Sequence, residues 1–223
     1  MIEHKEKEVA FFGKITAGFT HEIKNILAII KESSGLLEDI LAVTEDETFT
    51  HKDKFKKSLN RILGQIQRGV DITTHLNKFA HSPDHSPTRV DLNEMAEQVN
   101  FLAHRLARLK NVDLVASPHD ASIMVKTHPV ALQMALFLSI EIFLDSITSG
   151  GKIILSPRKV QNKHMVRIHH EATVPDVSHI PPAVSSSTRW KSLQEAMAYL
   201  GGMAETDGAA LEILISLPES IDE

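Results

Sequence analysis

At 223 residues, 42% apolar and 24% charged, the chain is long enough for one large domain or two modest ones. A formal net charge of −5, with no dominant basic stripe, argues against nucleic acid as a partner. Cysteine is absent, which removes disulfides and thiolate metal sites and fits a reducing compartment.

The N-terminus, MIEHKEKEVAFF, holds no apolar run of signal-peptide length. From Glu8 to about Thr44, apolar residues recur at Phe12, Ile15, Phe19, Ile26, Ile30, Leu37 and Ile40. Steps of three, four and seven predict one stripe along a long α-helix. The polar TEDETFTHKD (44–53) reads as a turn, and a second stripe follows through Phe55, Leu59, Ile62, Ile66, Val70, Thr73, Leu76 and Phe79. Two such helices make an antiparallel hairpin. Alone they cannot cover both stripes, so a four-helix bundle closed by two-fold symmetry is expected, and the protein reads as a homodimer.

HSPDHSPTR (81–89) carries two Ser-Pro steps, which disfavour helix in the residues before each proline. The expected organisation is a hairpin over 1–82, a hinge over 83–89 and a second domain over 90–223. In that domain Val90–Lys110 reads as a helix with Asp91 as its N-cap, and Val112–Val115 and Ile123–Val125 as short strands around an SPHD turn. Pro129 opens a strongly apolar helix running to about Ile147. SGGKIILS and HMVRIHH read as partner strands, SLQEAMAYLGG as a glycine-closed helix, and AALEILISLP as a last strand. The fold class is therefore α+β: a helical hairpin followed by an α/β sandwich with helices on one face of a sheet. The most apolar stretch, Met134–Leu144, is broken by Glu141 and too short to span a bilayer. Direct membrane insertion is not expected, and a cytoplasmic location is.

AGFTHEIKN (17–25) concentrates the chemistry. At about 100° per residue, His21 points away from the centre of the apolar stripe and shares its face with Ala17, Asn25, Ala28 and Glu32. Ala17 and Gly18 leave little bulk one turn before it. A neutral imidazole has one nitrogen free to attack, and a carboxylate on its N–H fixes the tautomer. Glu22 supplies a neighbouring charge, and Asn25 an amide that can orient a water or a phosphoryl oxygen. From the residues alone, a solvent-exposed histidine among the chain's thirteen remains the alternative.

FFGKITAGFTHEIKNILAII, with RGVDITTHLNKFA in the second helix, closely resembles the dimerisation and phosphoacceptor hairpin of two-component sensor histidine kinases. The resemblance implies His21 as phosphoacceptor, Glu22 as the acid that acts as base, and Asn25 as the amide supporting dephosphorylation of a response regulator. The second half is similar to the family's ATP-binding domain, of the Bergerat type, through ALQMALFLSIEIFLDSITSGGKIIL and LGGMAETDGAALEILISLP.

The nucleotide-handling residues of that family are missing. Its magnesium-binding asparagine helix, aligned on Glu141 and Asp145, places Leu138 and Ile142 where oxygen donors belong. ATVPD (172–176) has Ala172 at the position of the adenine-seating acid, and SSSTRW (185–190), at the place of the glycine-rich lid, contains no glycine. The pattern implies a degenerate ATPase-like domain and a histidine phosphotransfer protein that passes phosphoryl groups between receiver-domain aspartates through His21. No cofactor of its own is expected; magnesium would come through the partner receiver. Expected partners are response-regulator receiver domains, with a hybrid sensor kinase as a further class. A response-regulator phosphatase using Asn25, a non-catalytic scaffold and a conventional kinase stay open as other readings.

The remaining features are read as ordinary surface. His169 and His170 end a strand and point to opposite faces, so they do not chelate together. Lys56, Lys57, Arg105, Arg108 and Lys110 lie on solvated helix faces, while Lys14 and Lys24 could help attract an acidic pocket.

Overall fold

The computed structural model describes residues 2–43, 51–82, 87–147, 150–161, 163–171, 187–207 and 212–219. Two compact units emerge, Phe12–Ala80 and a second formed by Met1–Phe11 with His81–Glu223.

The first unit is the helical hairpin. Helix α1 (Ile2–Ala42) begins earlier than its stripe predicted, and α2 (Lys52–Ala80) runs back along it. Phe12 meets Phe79 with ring centroids 4.5 Å apart, Glu22 meets Arg68, and Glu32 meets Arg61, so the helices are antiparallel. On α1, Ile15, Phe19, Ile26 and Ile40 are buried, as the stripe predicts.

On α2 the single stripe read from sequence divides into two. Phe55, Ser58, Ile62, Gln65, Gly69, Ile72, Leu76 and Phe79 are buried or half-buried and alternate in steps of three and four, the spacing of a helix seam. Leu59, Leu63, Ile66 and Val70 repeat the same spacing on a face that stays open, 41%, 62%, 49% and 51% exposed. The apolar count of α2 is too large for one seam because the helix carries two.

The second unit is an α/β sandwich. Strands β1 (Thr88–Asp91) and β3 (Met124–Thr127) form a small antiparallel ribbon. A five-stranded sheet has the order β2-β4-β5-β7-β6, from β2 (Asp113–Ala116), β4 (Lys152–Val160), β5 (Lys163–Glu171), β7 (Glu212–Leu217) and β6 (Met203–Asp207). The β2–β4 pair is parallel and the other pairs antiparallel. Helices α3 (Leu92–Leu109), α4 (Pro129–Ser146) and α5 (Thr188–Tyr199) complete it.

Sheet pleating puts alternate side chains on one face. Ile153, Leu155, Val166, Ile168, Ile213 and Ile215 on that face are fully buried, and they form the core with Leu132, Leu136, Ile140 and Leu193 from α4 and α5. Helix α4 is apolar on nearly every side, and nearly every side is buried. It is long and apolar enough to cross a membrane by composition, yet 83% of that stretch is buried within the fold.

Local chemistry explains the element ends. Asp91 caps α3 by accepting from Asn93 N–H at 3.0 Å, and Pro129 opens α4. Gly150 and Gly151, at φ of 81° and 85°, make the left-handed turn that only glycine adopts freely before β4.

The structure refines the reading in three places. The two short strands read on either side of the SPHD turn are both present, and they join different sheets, β2 the large one and β3 the ribbon with β1. Thr88–Asp91, expected as hinge and helix start, is a strand; Met203–Asp207 is a strand paired with β7. The first residues of α1 pack within the second unit, where Phe11 lies edge-on to Phe137 at 5.3 Å and Lys7 pairs with Glu195.

Candidate functional site

The site is built on one face of α1. Its backbone is regular helix from Phe12 through Asn25, so side chains four apart stack on one another. His21 and Asn25 do so, both exposed, with Asn25 Nδ2 3.2 Å from His21 Nδ1. The contact admits two arrangements: the amide N–H donates to a bare Nδ1, or a rotated amide oxygen accepts from Nδ1–H. Either way Nδ1 is engaged; in the second arrangement Nε2 keeps its lone pair and is the nitrogen left to react.

The approach is open on the N-terminal side. Thr20 donates its hydroxyl to the Thr16 carbonyl, which keeps that side chain against its own helix. A Cβ at Gly18 would meet nothing within 4 Å. Ala17 and Thr20 are exposed, as are Lys14 and Lys24.

Glu22 stands elsewhere. Its side chain, 12% exposed, crosses the hairpin and accepts from Arg68 Nη2 at 2.8 Å. Helical neighbours i and i+1 do not face each other, so a residue adjacent to His21 in sequence is about 100° away round the helix. The seam side was available to Glu22, and α2 places a guanidinium there. Sequence reasoning missed Arg68. Its signal was a basic residue at a seam-flanking position of α2, opposite the one acid on the inward side of this segment.

In the second unit, the positions aligned with the family's magnesium seat lie on α4. Ile142 is 3% exposed and Leu138 half-buried, and neither has an oxygen to offer. The acids that flank them are already engaged: Arg189, from the first turn of α5, pairs with Asp145 and lies 3.7 Å from Glu141. Ser187 caps α5, accepting from Trp190 N–H at 3.0 Å. Among the described residues, the two α4 positions Leu138 and Ile142 offer magnesium no side-chain oxygen. Ala172–Asp176 lies outside the described residues, as do the first two residues of the 185–190 stretch.

Of the histidines set aside, His169 lies 3.6 Å from Glu171, and His170 Nε2 lies 3.4 Å from the Gly150 carbonyl. Both are half-buried rather than surface residues. Among the described residues no group of three metal-ligating side chains forms.

No protein-family model and no curated protein matches the chain. Among solved structures it is similar to the nucleotide-free catalytic domain of histidine kinase ThkA, at 15% identity and a TM-score of 0.50, over 60% of this chain and 98% of that one. It is also similar to the Acinetobacter baumannii histidine kinase AdeS, at 13% identity and a TM-score of 0.47, over 89% of this chain and 98% of that one. A third match is ThkA in complex with response regulator protein TrrA, at 16% identity and a TM-score of 0.48, over 96% of this chain and 64% of that one. At such identities the likeness is one of fold. The chain is α+β with an N-terminal helical hairpin, and it shares the fold of histidine kinase catalytic domains.

Proposed function

We propose that this histidine kinase-like chain is a histidine phosphotransfer protein, carrying phosphoryl groups between receiver-domain aspartates on His21 without using ATP. The observation that carries the reading is the contrast between an exposed His21, oriented by Asn25, and an α4 whose metal positions are the aliphatic Leu138 and Ile142. A site that can hold phosphate but not make it from ATP needs another donor. An aspartyl phosphate is an acyl phosphate, energetic enough to phosphorylate an imidazole.

The chemistry balances. The Nε2 lone pair attacks phosphorus, the N–P bond forms, and the aspartate departs as carboxylate with the electrons of the broken O–P bond. Nδ1–H, accepted by the Asn25 amide oxygen, stabilises the ring as charge develops. In the second half, a carboxylate of another receiver attacks phosphorus and the N–P electrons return to Nε2. The receiver brings the magnesium that both half-reactions need.

The same reading makes the active unit a homodimer. The second seam of α2, Leu59, Leu63, Ile66 and Val70, supports it, because a periodic apolar face of this length favours a helical partner over water. The second domain then serves as a docking surface for receivers.

The test is incubation with a panel of phosphorylated receiver domains. Label should appear on the wild-type chain, stay absent from His21→Ala, and pass on to a second receiver. Labelling by ATP and magnesium alone, or no label from any receiver, overturns the reading.

A further inference from the structure

The second unit holds a cavity of about 430 Å³ between the β1–β3 ribbon, the start of α3 and the first turns of α4. Leu138 and Ile142 lie further along α4, about 8 and 13 Å of rise beyond Gln133, and neither lines it. The volume falls in the lower part of the range of small-molecule pockets, about 300–1,000 Å³. Val90, Met95 and Met124 give the cavity apolar walls, and a few polar groups converge on it.

Gln133 lines the cavity and is 0% exposed. Its Nε2 donates to Ser82 Oγ at 3.0 Å, while its Oε1 is buried without a partner. Turning the amide over exchanges oxygen for NH2 and leaves one end of the group unpaired all the same. An unpaired buried amide atom is costly, and the fully buried Leu132 and Leu136 beside it on α4 show that this helix accepts hydrocarbon. Gln98 Nε2, on the α3 wall, is also buried without a partner. The rim carries opposite charges. Arg89 and Glu94 are exposed there, and among the described residues neither forms an ion pair. Asp91, the other acid on the wall, is already engaged, accepting from the N–H groups of Asn93 at 3.0 Å and Ile123 at 3.1 Å.

We propose that this cavity binds a small zwitterion, a molecule carrying both a carboxylate and an ammonium group, of the free amino acid or dipeptide class. Arg89 donates to the carboxylate, which the guanidinium fork matches, and Glu94 accepts from the ammonium. A further polar group of the ligand, hydroxyl or amide, pairs with the Gln133 side chain, and its carbon skeleton lies against Val90, Met95 and Met124. A simple anion would meet the Glu94 carboxylate, and a simple cation the Arg89 guanidinium. The rim therefore favours a ligand with both charges over either alone. None of these residues belongs to the hairpin unit, and the proposal does not rest on the phosphotransfer reading.

The experiment is an NMR titration of the full chain with the common free amino acids and, separately, with glycyl dipeptides, following the Gln133 side-chain amide. At least one probe should shift that amide at sub-millimolar concentration, and the series it belongs to separates amino acid from dipeptide. Its decarboxylated amine and its deaminated acid should each bind about tenfold more weakly, the weight of one charge-assisted hydrogen bond. Arg89→Gln and Glu94→Gln, both at exposed positions, should weaken the zwitterion by the same factor. The first should remove its advantage over the amine, and the second its advantage over the acid. Gln133→Leu should bind no probe and melt no lower than the wild type. No shift from any probe at tens of millimolar overturns the proposal. So do a singly charged analogue that binds as tightly as the zwitterion and charge variants that bind like wild type. A Gln133→Leu chain that melts below the wild type assigns the amide to the fold and overturns it as well.

Discussion

Asn25 Nδ2 lies 3.2 Å from His21 Nδ1 on an exposed face of α1, one helical turn apart. The ring's partner is thus a neutral amide, while the acid next to His21 is committed across the hairpin. Asn25→Ala should slow phosphoryl transfer through His21 by about five- to tenfold, the weight of one neutral hydrogen bond. His21→Ala should abolish it. Rapid-quench measurement of label leaving a phosphorylated receiver checks both, and an undiminished rate in Asn25→Ala would show that the amide does not orient the ring.

How much of this was legible before the structure depends on the range of each interaction. Local signals read well: the α1 stripe, Asp91 as cap, Pro129 as first residue of α4 and the glycine turn before β4 all occur where neighbouring residues placed them. Pairings over long sequence distances did not. Asp113–Ala116 and Met124–Thr127 read as short strands, but nothing near them in sequence says that they take their backbone partners from β4 and β1. Thr88–Asp91 has a strand's pattern too short to register beside two Ser-Pro steps. For the site, the motif located His21 and Asn25 on one face. It could not locate Arg68, because adjacency in sequence says nothing about which residue of α2 stands 2.8 Å from Glu22.

Gly18 sits inside a helix with open space where its side chain would be. Gly18→Ala should therefore stabilise the hairpin by about 0.5–1 kcal/mol, since alanine is the better helix former and meets no obstacle. Transfer should weaken at the same time if a visiting backbone uses that space. Thermal melts alongside transfer assays separate the effects; a variant that gains stability and transfers at full rate shows that no partner approaches over Gly18.

Ile66 stands in the middle of the open seam of α2, 49% exposed, between Leu63 and Val70. A lysine there places a charge where a second copy would pack, with its own symmetry-related charge opposite. Ile66→Lys should turn the proposed dimer into monomer at micromolar concentration while leaving helix content intact. Sedimentation velocity and far-ultraviolet circular dichroism check this. A wild-type chain that sediments as monomer would mean that the seam serves some other partner.

His164 gives the second unit a sensitivity to mild acid. It lies in β5, 3% exposed, with Nδ1 buried and without a hydrogen-bond partner. Burial pushes its pKa below the ordinary 6.5, and the positive charge of Lys159, opposite it in the register, pushes the same way. Glu219 and the Pro218 backbone pull upward without reversing the shift. The folded state thus binds this proton less readily than the unfolded chain. Its contribution to stability is complete above 6.5 and is lost as pH falls from there toward the depressed folded value. His75 in α2 is lowered too, by burial first and then by Lys78, with Asp71 opposing, so the hairpin shares the trend. Urea midpoints measured from about pH 8 to pH 5 should fall for the wild type. They should fall less steeply for His164→Gln, and least for a variant with His75→Gln added. Parallel curves for wild type and His164→Gln would show that His164 takes up its proton inside the fold as easily as outside it.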